Sequence, residues 1–361
     1  MKRSLRRPFL SLAVIAVLLS YCVIFCGFLC GKQVASPLNI IDRADAAIGM
    51  RNIGYDCADA KMKYIILILF ILCVVYVHYR GRVRYGFWRQ LADHSTFTAP
   101  LNVFMYLFSR APTTPYLSVA QFPELAVLQE HWQTIRAEGQ QLLAIQQIKA
   151  SDQYNDAGFN SFFKTGWKRF YLKWYEDSHP SAMTLCPQTT ALLRGLPSVK
   201  AAMFAELPDG SRLPRHRDPY AGSLRYHLGL ITPNDDRCFI EVDGERYSWR
   251  DGEGVMFDET YLHYAENTSG QNRLILFCDI ERPMRYRWTQ WVNHWLGRNL
   301  MSAATAPNEQ GDRTGGVNKI FKYIYAIRKV GKRLKAWNKT LYYIIKWLLF
   351  GGIAAGIFFA L

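Results

Sequence analysis

Three residues have the types and spacing to hold one metal ion: His216 and Asp218, separated by a single residue, and the distant His263. A His-x-Asp followed by a remote His is the pattern of a two-histidine, one-carboxylate triad, which grips Fe(II) from one face and leaves the other positions open for a co-substrate and oxygen. Alternate residues of an extended segment point the same way, so His216 and Asp218 can share an ion. Taken alone, the same three letters also describe a surface turn. Arg273, at the start of a strand pattern, strengthens the metal reading. An iron oxygenase using 2-oxoglutarate needs a cation at the far end of its cavity for the distal carboxylate, and a guanidinium fork suits that task. Two imidazoles and a carboxylate do not select a metal by affinity, so Mn(II) or Zn(II) without oxygen chemistry is a further reading.

The elements around these residues read as short strands. After Ser198 the chain shows period-two segments at Lys200–Leu207, Leu224–Ile231, Cys238–Val242, Glu245–Trp249, Gly254–Asp258 and Arg273–Ile280. Pro208-Asp209-Gly210, Asp243-Gly244 and Asp251-Gly252 supply turns, the Asp-Gly before Glu245 being a tight hairpin signal. Strands of this length argue for a sandwich or jelly roll, and the chain has no Gly-rich phosphate loop. His216 lies just before one strand and His263 just after another. On Leu224–Ile231, Arg225 and His227 share a face opposite Leu224, Tyr226 and Leu228. A buried Arg and His need partners, which a dicarboxylate would provide; for His227 the alternative is a core histidine satisfied by backbone. Upstream, Leu125, Leu128, Trp132 and Ile135 predict a helix from Pro123 to Ile148. Phe159–Tyr175 reads as strand-like and Cys186–Leu196 as a short helix.

The stretch Phe159–Pro283 resembles the aspartyl/asparaginyl β-hydroxylase family of Fe(II)/2-oxoglutarate dioxygenases. The resemblance rests on CPQTTALL (186–193), LPRHRD (213–218), LRYHLGL (224–230), VMFDETYLH (255–263) and NRLILFCDIERP (272–283). HYRGRVRYGFWRQLADHSTF (78–97) and NVFMYLFSR (102–110) resemble more narrowly its membrane-bound lipid A 2-hydroxylase branch. The resemblance implies a mainly β jelly-roll (double-stranded β-helix) domain with flanking helices, and a reaction that consumes oxygen and 2-oxoglutarate to hydroxylate an acyl chain of lipid A or its precursor. It implies His216 and His263 as iron ligands, Arg273 as the 2-oxoglutarate clamp, and Arg225 and His227 as further co-substrate contacts. The animal protein hydroxylases have glycine where this chain has Asp218, so carboxylate ligation follows from triad logic, and serine where it has Ala205. Hydroxylation of an Asp or Asn side chain in a protein is the alternative substrate reading. A membrane-anchored lipid-binding protein without catalysis is the alternative of another class.

The 361 residues carry 44 Lys+Arg against 29 Asp+Glu, a net charge of +15, with half the residues apolar and 14% aromatic. Such a chain is not mainly disordered, and its charge follows the apolar runs. Leu10–Leu29 follows Lys2, Arg3, Arg6 and Arg7; Tyr64–Val77 precedes Arg80, Arg82, Arg84 and Arg89; and Leu341–Leu361 follows an acid-free basic stretch from Lys319 to Lys339. The positive-inside rule then predicts transmembrane helices at both ends of a cytoplasmic domain, and the resemblance implies that the membrane is a bacterial inner membrane. The expected organisation is an extension 1–61 containing the span 10–29 and an outward loop, a span at 62–79, a helical and aromatic-rich part 80–198, the oxygenase core 199–290, a basic juxtamembrane segment 291–340 and a last span 341–361. That basic segment is an amphipathic helix on an anionic leaflet or a solvated tail. No nucleic-acid partner is expected. Residues 1–30 also read as a cleavable signal peptide, and Met62 is a possible alternative start. The cysteines show no C-x-x-C pair and read as unpaired thiols.

Overall fold

A computed structural model describes residues 64–151, 156–175 and 177–360. The extension 1–61, the run 10–29 and Met62 lie outside the described residues. The contacts divide the chain into two units. One comprises the residues up to His78 with Gly86–Pro100 and Lys329–Leu361, and the other comprises Tyr79–Tyr85 with Leu101–Arg328.

Among the described residues of the second unit, ten strands form two antiparallel sheets. The 6-stranded sheet has the order β1 (Tyr116–Leu117), β8 (Gly254–Phe257), β5 (Ser223–Ile231), β10 (Arg273–Glu281), β3 (Val199–Leu207), β2 (Lys168–Trp174). The 4-stranded sheet has the order β4 (Arg212–His216), β9 (His263–Asn267), β6 (Cys238–Val242), β7 (Glu245–Ser248). All six strands expected from alternation are present within two residues of their predicted ends. The β6–β7 hairpin turns at Asp243 and Gly244 with φ of 52° and 90°, the paired positive values that its Asp-Gly signal requires.

The central strands β3, β5 and β10 are buried almost throughout because the large sheet is covered on both faces. One face meets Leu125, Leu128, Ile135 and Leu142, which pack on Phe204, Leu224, Tyr226, Leu228 and Leu276. The other face encloses Tyr171, Met203, Ala205, Trp249, Phe257, Ile275 and Phe277 between the sheets. Leu224, Tyr226 and Leu228 thus point to the helices, and Arg225 and His227 to the space between the sheets, which holds the site. Gly229 is needed where it stands, since a Cβ there would lie 2.0 Å from the Arg250 carbonyl oxygen.

The helix expected over Pro123–Ile148 is interrupted. A 3-10 turn at Pro123–Leu125 leads into Ala126–Glu130, the chain breaks at His131 (φ −103°, ψ 19°), and a longer helix covers Trp132–Ala144. Of Phe159–Tyr175 only Lys168–Trp174 is strand. The chain beyond residue 290 remains hydrogen-bonded into this unit. Asn293 bonds the Gly222 carbonyl, and Asn308 exchanges two hydrogen bonds with the Tyr171 backbone. A helix over Gly316–Trp337 follows.

The expected transmembrane spans are corrected in part. Residues 64–79 and Lys339–Ala360 are helical, yet among the described residues no helix is long and apolar enough to cross a membrane. The second opens with Lys339, Tyr342, Tyr343, Lys346 and Trp347. Cys73, Cys186, Cys238 and Cys278 are free thiols, the last three buried.

Candidate active site

β4 and β9 bring the two histidines together. His216, the last residue of β4, is the cross-strand partner of His263, the first of β9, and their ring centroids lie 4.2 Å apart. Asp218, two residues past the end of β4, places Oδ1 3.6 Å from His216 Nε2. One ligand atom from each of the three lies within 4.8 Å of the others, a grouping that could hold a metal ion. Each imidazole is oriented by its own strand: Nδ1 of His216 is 2.7 Å from the Pro214 carbonyl and Nδ1 of His263 is 2.9 Å from the Tyr261 carbonyl. A proton on Nδ1 donated to that carbonyl leaves Nε2 as a bare lone pair for a cation. Phe162 and Phe257 set their rings edgewise against the two histidines.

Arg225 projects from β5 into a nest of carboxylates. Its Nη2 is 2.8 Å from Asp218 Oδ2 and also contacts Glu259, its Nε is 2.9 Å from Asp279 Oδ1, and its Cζ sits 3.7 Å over the Phe277 ring. Burial alone would raise the Asp218 carboxyl, but the Arg225 guanidinium and the two imidazoles outweigh it and hold Asp218 at about 2. Burial pushes Glu259 well above the usual carboxylate range and raises Asp279. The expectation for Arg225 was a co-substrate contact. What the structure places against it are Asp218, the residue whose place is glycine in the animal protein hydroxylases, Glu259 and Asp279.

Beside the triad, His227 and Arg273 are buried groups without hydrogen-bond partners. Neither ring nitrogen of His227 has a hydrogen bond. Its ring lies among Trp249, Phe257 and Phe277, and burial, then Arg225, Arg273 and His263, depress it well below the ordinary imidazole value. The reading of His227 as a histidine satisfied by backbone does not hold. Arg273, at the head of β10, is 2% exposed and lies with Cζ 4.2 Å over the Trp249 ring. Its Nε has no hydrogen-bond partner, and burial lowers it to about 10. An unpaired buried guanidinium is expensive. A bound dicarboxylate would relieve both residues, so the donor set fits 2-oxoglutarate beside a metal at His216, Asp218 and His263. Ala205 lies on β3, cross-strand from Ile275, and brings no polar atom.

The loop from β8 to His263 is tied down by a second charge cluster that sequence reasoning missed. Asp258 is fully buried and receives Arg80 Nη2 at 2.5 Å and Arg282 Nη2 at 2.8 Å. Burial would raise it, but the two guanidiniums and Thr260 take it far below the usual range. Arg80 lies 3.9 Å from the ring centroids of both Tyr106 and Tyr261. A signal existed: the motif spanning 78–97 offers an arginine and the motif spanning 255–263 an aspartate, although nothing in one dimension pairs them.

The model of the aspartyl/asparaginyl β-hydroxylase family matches residues 129–283. An ornithine lipid ester-linked acyl 2-hydroxylase of Rhizobium tropici is 32% identical over 189 residues, 51% of this chain and 67% of that protein. The human aspartyl/asparaginyl β-hydroxylase is 27% identical over 161 residues, which cover 43% of this chain but only 21% of the human protein. Among solved structures, a Pseudomonas putida prolyl-4-hydroxylase aligns with a TM-score of 0.30 at 18% identity, covering 42% of this chain and 87% of that one.

Proposed function

Because the chain belongs to the aspartyl/asparaginyl β-hydroxylase family, we propose that it is an Fe(II)- and 2-oxoglutarate-dependent dioxygenase that hydroxylates the 2-position of a fatty acyl chain of a membrane lipid. Lipid A or its precursor is the narrower substrate we propose. The observation that carries the oxygenase reading is the unpartnered, buried pair His227 and Arg273 beside the triad. Support for an acyl substrate comes from the Rhizobium relative, whose name gives that chemistry, and it makes association with a membrane part of the proposal.

The Nε2 atoms of His216 and His263 and the carboxylate of Asp218 would hold the iron. Bound together, iron and 2-oxoglutarate supply oxygen activation coupled to decarboxylation of the co-substrate, yielding succinate, carbon dioxide and one oxygen atom for a C–H bond. The protein does the positioning. Arg273 pairs with the distal carboxylate, His227 offers a neutral imidazole to the co-substrate, and Arg225 keeps Asp218 ionised and pointed at its neighbours. Trp249, Phe257 and Phe277 exclude water from around these groups.

The test is mass spectrometry of lipids from cells with and without the gene, together with His216→Ala and His263→Ala chains. The expected result is one added oxygen atom on one acyl chain, lost in both variants. An added oxygen on a peptide and none on lipid would replace the substrate reading with the protein one. Purified chain that forms no succinate with iron, oxygen and 2-oxoglutarate would remove the oxygenase reading altogether.

A further inference from the structure

The helix Arg287–Leu296 (RWTQWVNHWL) buries Thr289 and Asn293 and turns Trp288, Trp291 and Trp295 outward, 54%, 65% and 39% exposed. These positions follow one another at helical spacing, so they share a face. The patch continues onto a second element. Trp288 meets the rings of Phe104 and Phe108 at 5.8 and 5.2 Å, Phe108 meets Tyr286, and Leu107 beside them is 65% exposed. Contiguous exposed aromatics of this kind on a folded domain mark a surface that meets something apolar.

The surrounding charge says what. Arg110, Arg285, Arg287 and Arg298 are exposed around the patch and stand in no ion pair among the described residues. The sequence has no acidic residue between Asp93 and Glu124, nor between Glu281 and Glu309. Glu281 itself is engaged by Lys200 at 3.1 Å and His294 at 3.3 Å. Tryptophan, whose apolar body and polar N–H favour the headgroup boundary, set among unopposed arginines is the composition of an interfacial membrane contact. A second protein surface would have to bring carboxylates to meet these arginines and flat apolar area to meet the rings.

The patch also has a structural link to the site. Asn293, on its buried side, donates to the Gly222 carbonyl at 2.9 Å, and Asn102 accepts from Ala221 N at 2.9 Å and donates to the Pro219 carbonyl at 3.1 Å. The helix and the Asn102 segment therefore hold the loop that begins directly after Asp218. We propose that the face formed by Trp288, Trp291, Trp295, Leu107 and Tyr286, ringed by Arg110, Arg285, Arg287 and Arg298, docks on the interface of an anionic phospholipid bilayer and sets the mouth of the active site against it. This surface role goes beyond the proposed reaction and stands whichever lipid is oxidised.

The experiment is hydroxyl-radical footprinting of the full chain in phospholipid nanodiscs, read by mass spectrometry at Trp288, Trp291 and Trp295, without substrate turnover. In discs containing phosphatidylglycerol the three tryptophans should be modified several-fold less than in discs of phosphatidylcholine alone, and high salt should abolish the difference. Each arginine near an anionic surface contributes about fivefold to partition, so Arg110→Gln/Arg287→Gln/Arg298→Gln should lower docking on the order of a hundredfold and restore labelling. Those arginines are exposed and make no ion pair, and the salt series on the unaltered chain supplies a readout that needs no variant. Equal labelling in both discs at low salt overturns the proposal. Protection that follows protein concentration and ignores lipid charge also overturns it, in favour of a second copy of the chain. Because no product is measured, failure here is separate from failure of the hydroxylase reading.

Discussion

Arg225 and Arg273 are both buried guanidiniums stacked on an aromatic ring, and they differ in what faces their nitrogens. Arg225 meets Asp218, Glu259 and Asp279, whereas Arg273 stands in no ion pair among the described residues. Under the proposed function the first would be a positioning residue for the metal and the second a receptor for the incoming anion. Loss of an outer partner of a metal ligand typically lowers metal affinity 10–100-fold, so Arg225→Gln should weaken Fe(II) or Mn(II) binding by about that factor and change the KM for 2-oxoglutarate much less. Arg273→Gln removes charge-assisted bonds worth about 1.5–3 kcal/mol each and should raise that KM by roughly a hundredfold with metal affinity nearly intact. Anaerobic metal titration and succinate formation measure the two separately; equal effects of both variants on both quantities would collapse the distinction. The grouping of His216, Asp218 and His263 was legible in the sequence, because two histidines and a carboxylate are the residue types a metal triad demands. The partners of Arg225 were not, since Asp279 reaches it only through the register of β5 on β10, which one chain read in order does not display.

At the level of elements, the histidines sit on two strands that alternation did not reveal. β4 reads Arg-Leu-Pro-Arg-His, largely charged and broken by Pro214, and it is tolerated because β4 is an edge strand. β9 mixes polar and apolar residues with a largely buried pattern. Strands β3, β5, β8 and β10 of the large sheet were legible, because their alternation serves two cores. The loop entering β9 depends on Arg80 and Arg282 holding Asp258. Arg80→Ala should cost about 3 kcal/mol, at the low end for breaking a buried pair since Arg282 remains, and should loosen metal binding at His263. Urea unfolding with and without Mn(II) reports both, and an unchanged midpoint would show that the cluster does not hold the loop. A pH effect belongs to another element. His179, at the start of the helix Pro180–Leu185, is buried with neither ring nitrogen hydrogen-bonded, and burial lowers its affinity for a proton. The unfolded imidazole takes up a proton below about 6.5 while the folded one resists, so stability falls as pH drops through that value, by up to about 1.4 kcal/mol per unit. His179→Phe should flatten the slope of stability against pH below about 6.5; an unaltered slope would mean that His179 protonates freely in the folded chain.

On the scale of the whole molecule, the net charge of +15 divides into two kinds. Part of the basic flank after residue 79 is already paired, Arg80 with the buried Asp258 and Arg82 with Glu245 at the surface, so it contributes little free field. The stretch from Lys319 to Lys339 is different. Gly316–Trp337 forms a 22-residue helix whose Val317, Ile320, Tyr323, Ile327 and Val330 are exposed along one stripe, with Lys319, Arg328, Lys329, Lys332 and Arg333 around it and no acid within it. A solvated tail would have no reason to align apolar side chains at helical spacing, so the amphipathic alternative is favoured. Such a helix binds anionic membranes by two additive contributions: apolar burial, which salt does not screen, and basic attraction of about 1 kcal/mol per residue near the surface, which it does. In vesicle flotation of the full chain, Lys319→Gln/Lys329→Gln/Lys332→Gln/Arg333→Gln should therefore reduce recovery on anionic vesicles at low salt and leave recovery on neutral vesicles unchanged, whereas Ile320→Glu/Ile327→Glu should reduce both. Flotation on anionic vesicles that neither set of changes alters would assign membrane binding to other segments and return this helix to the solvent.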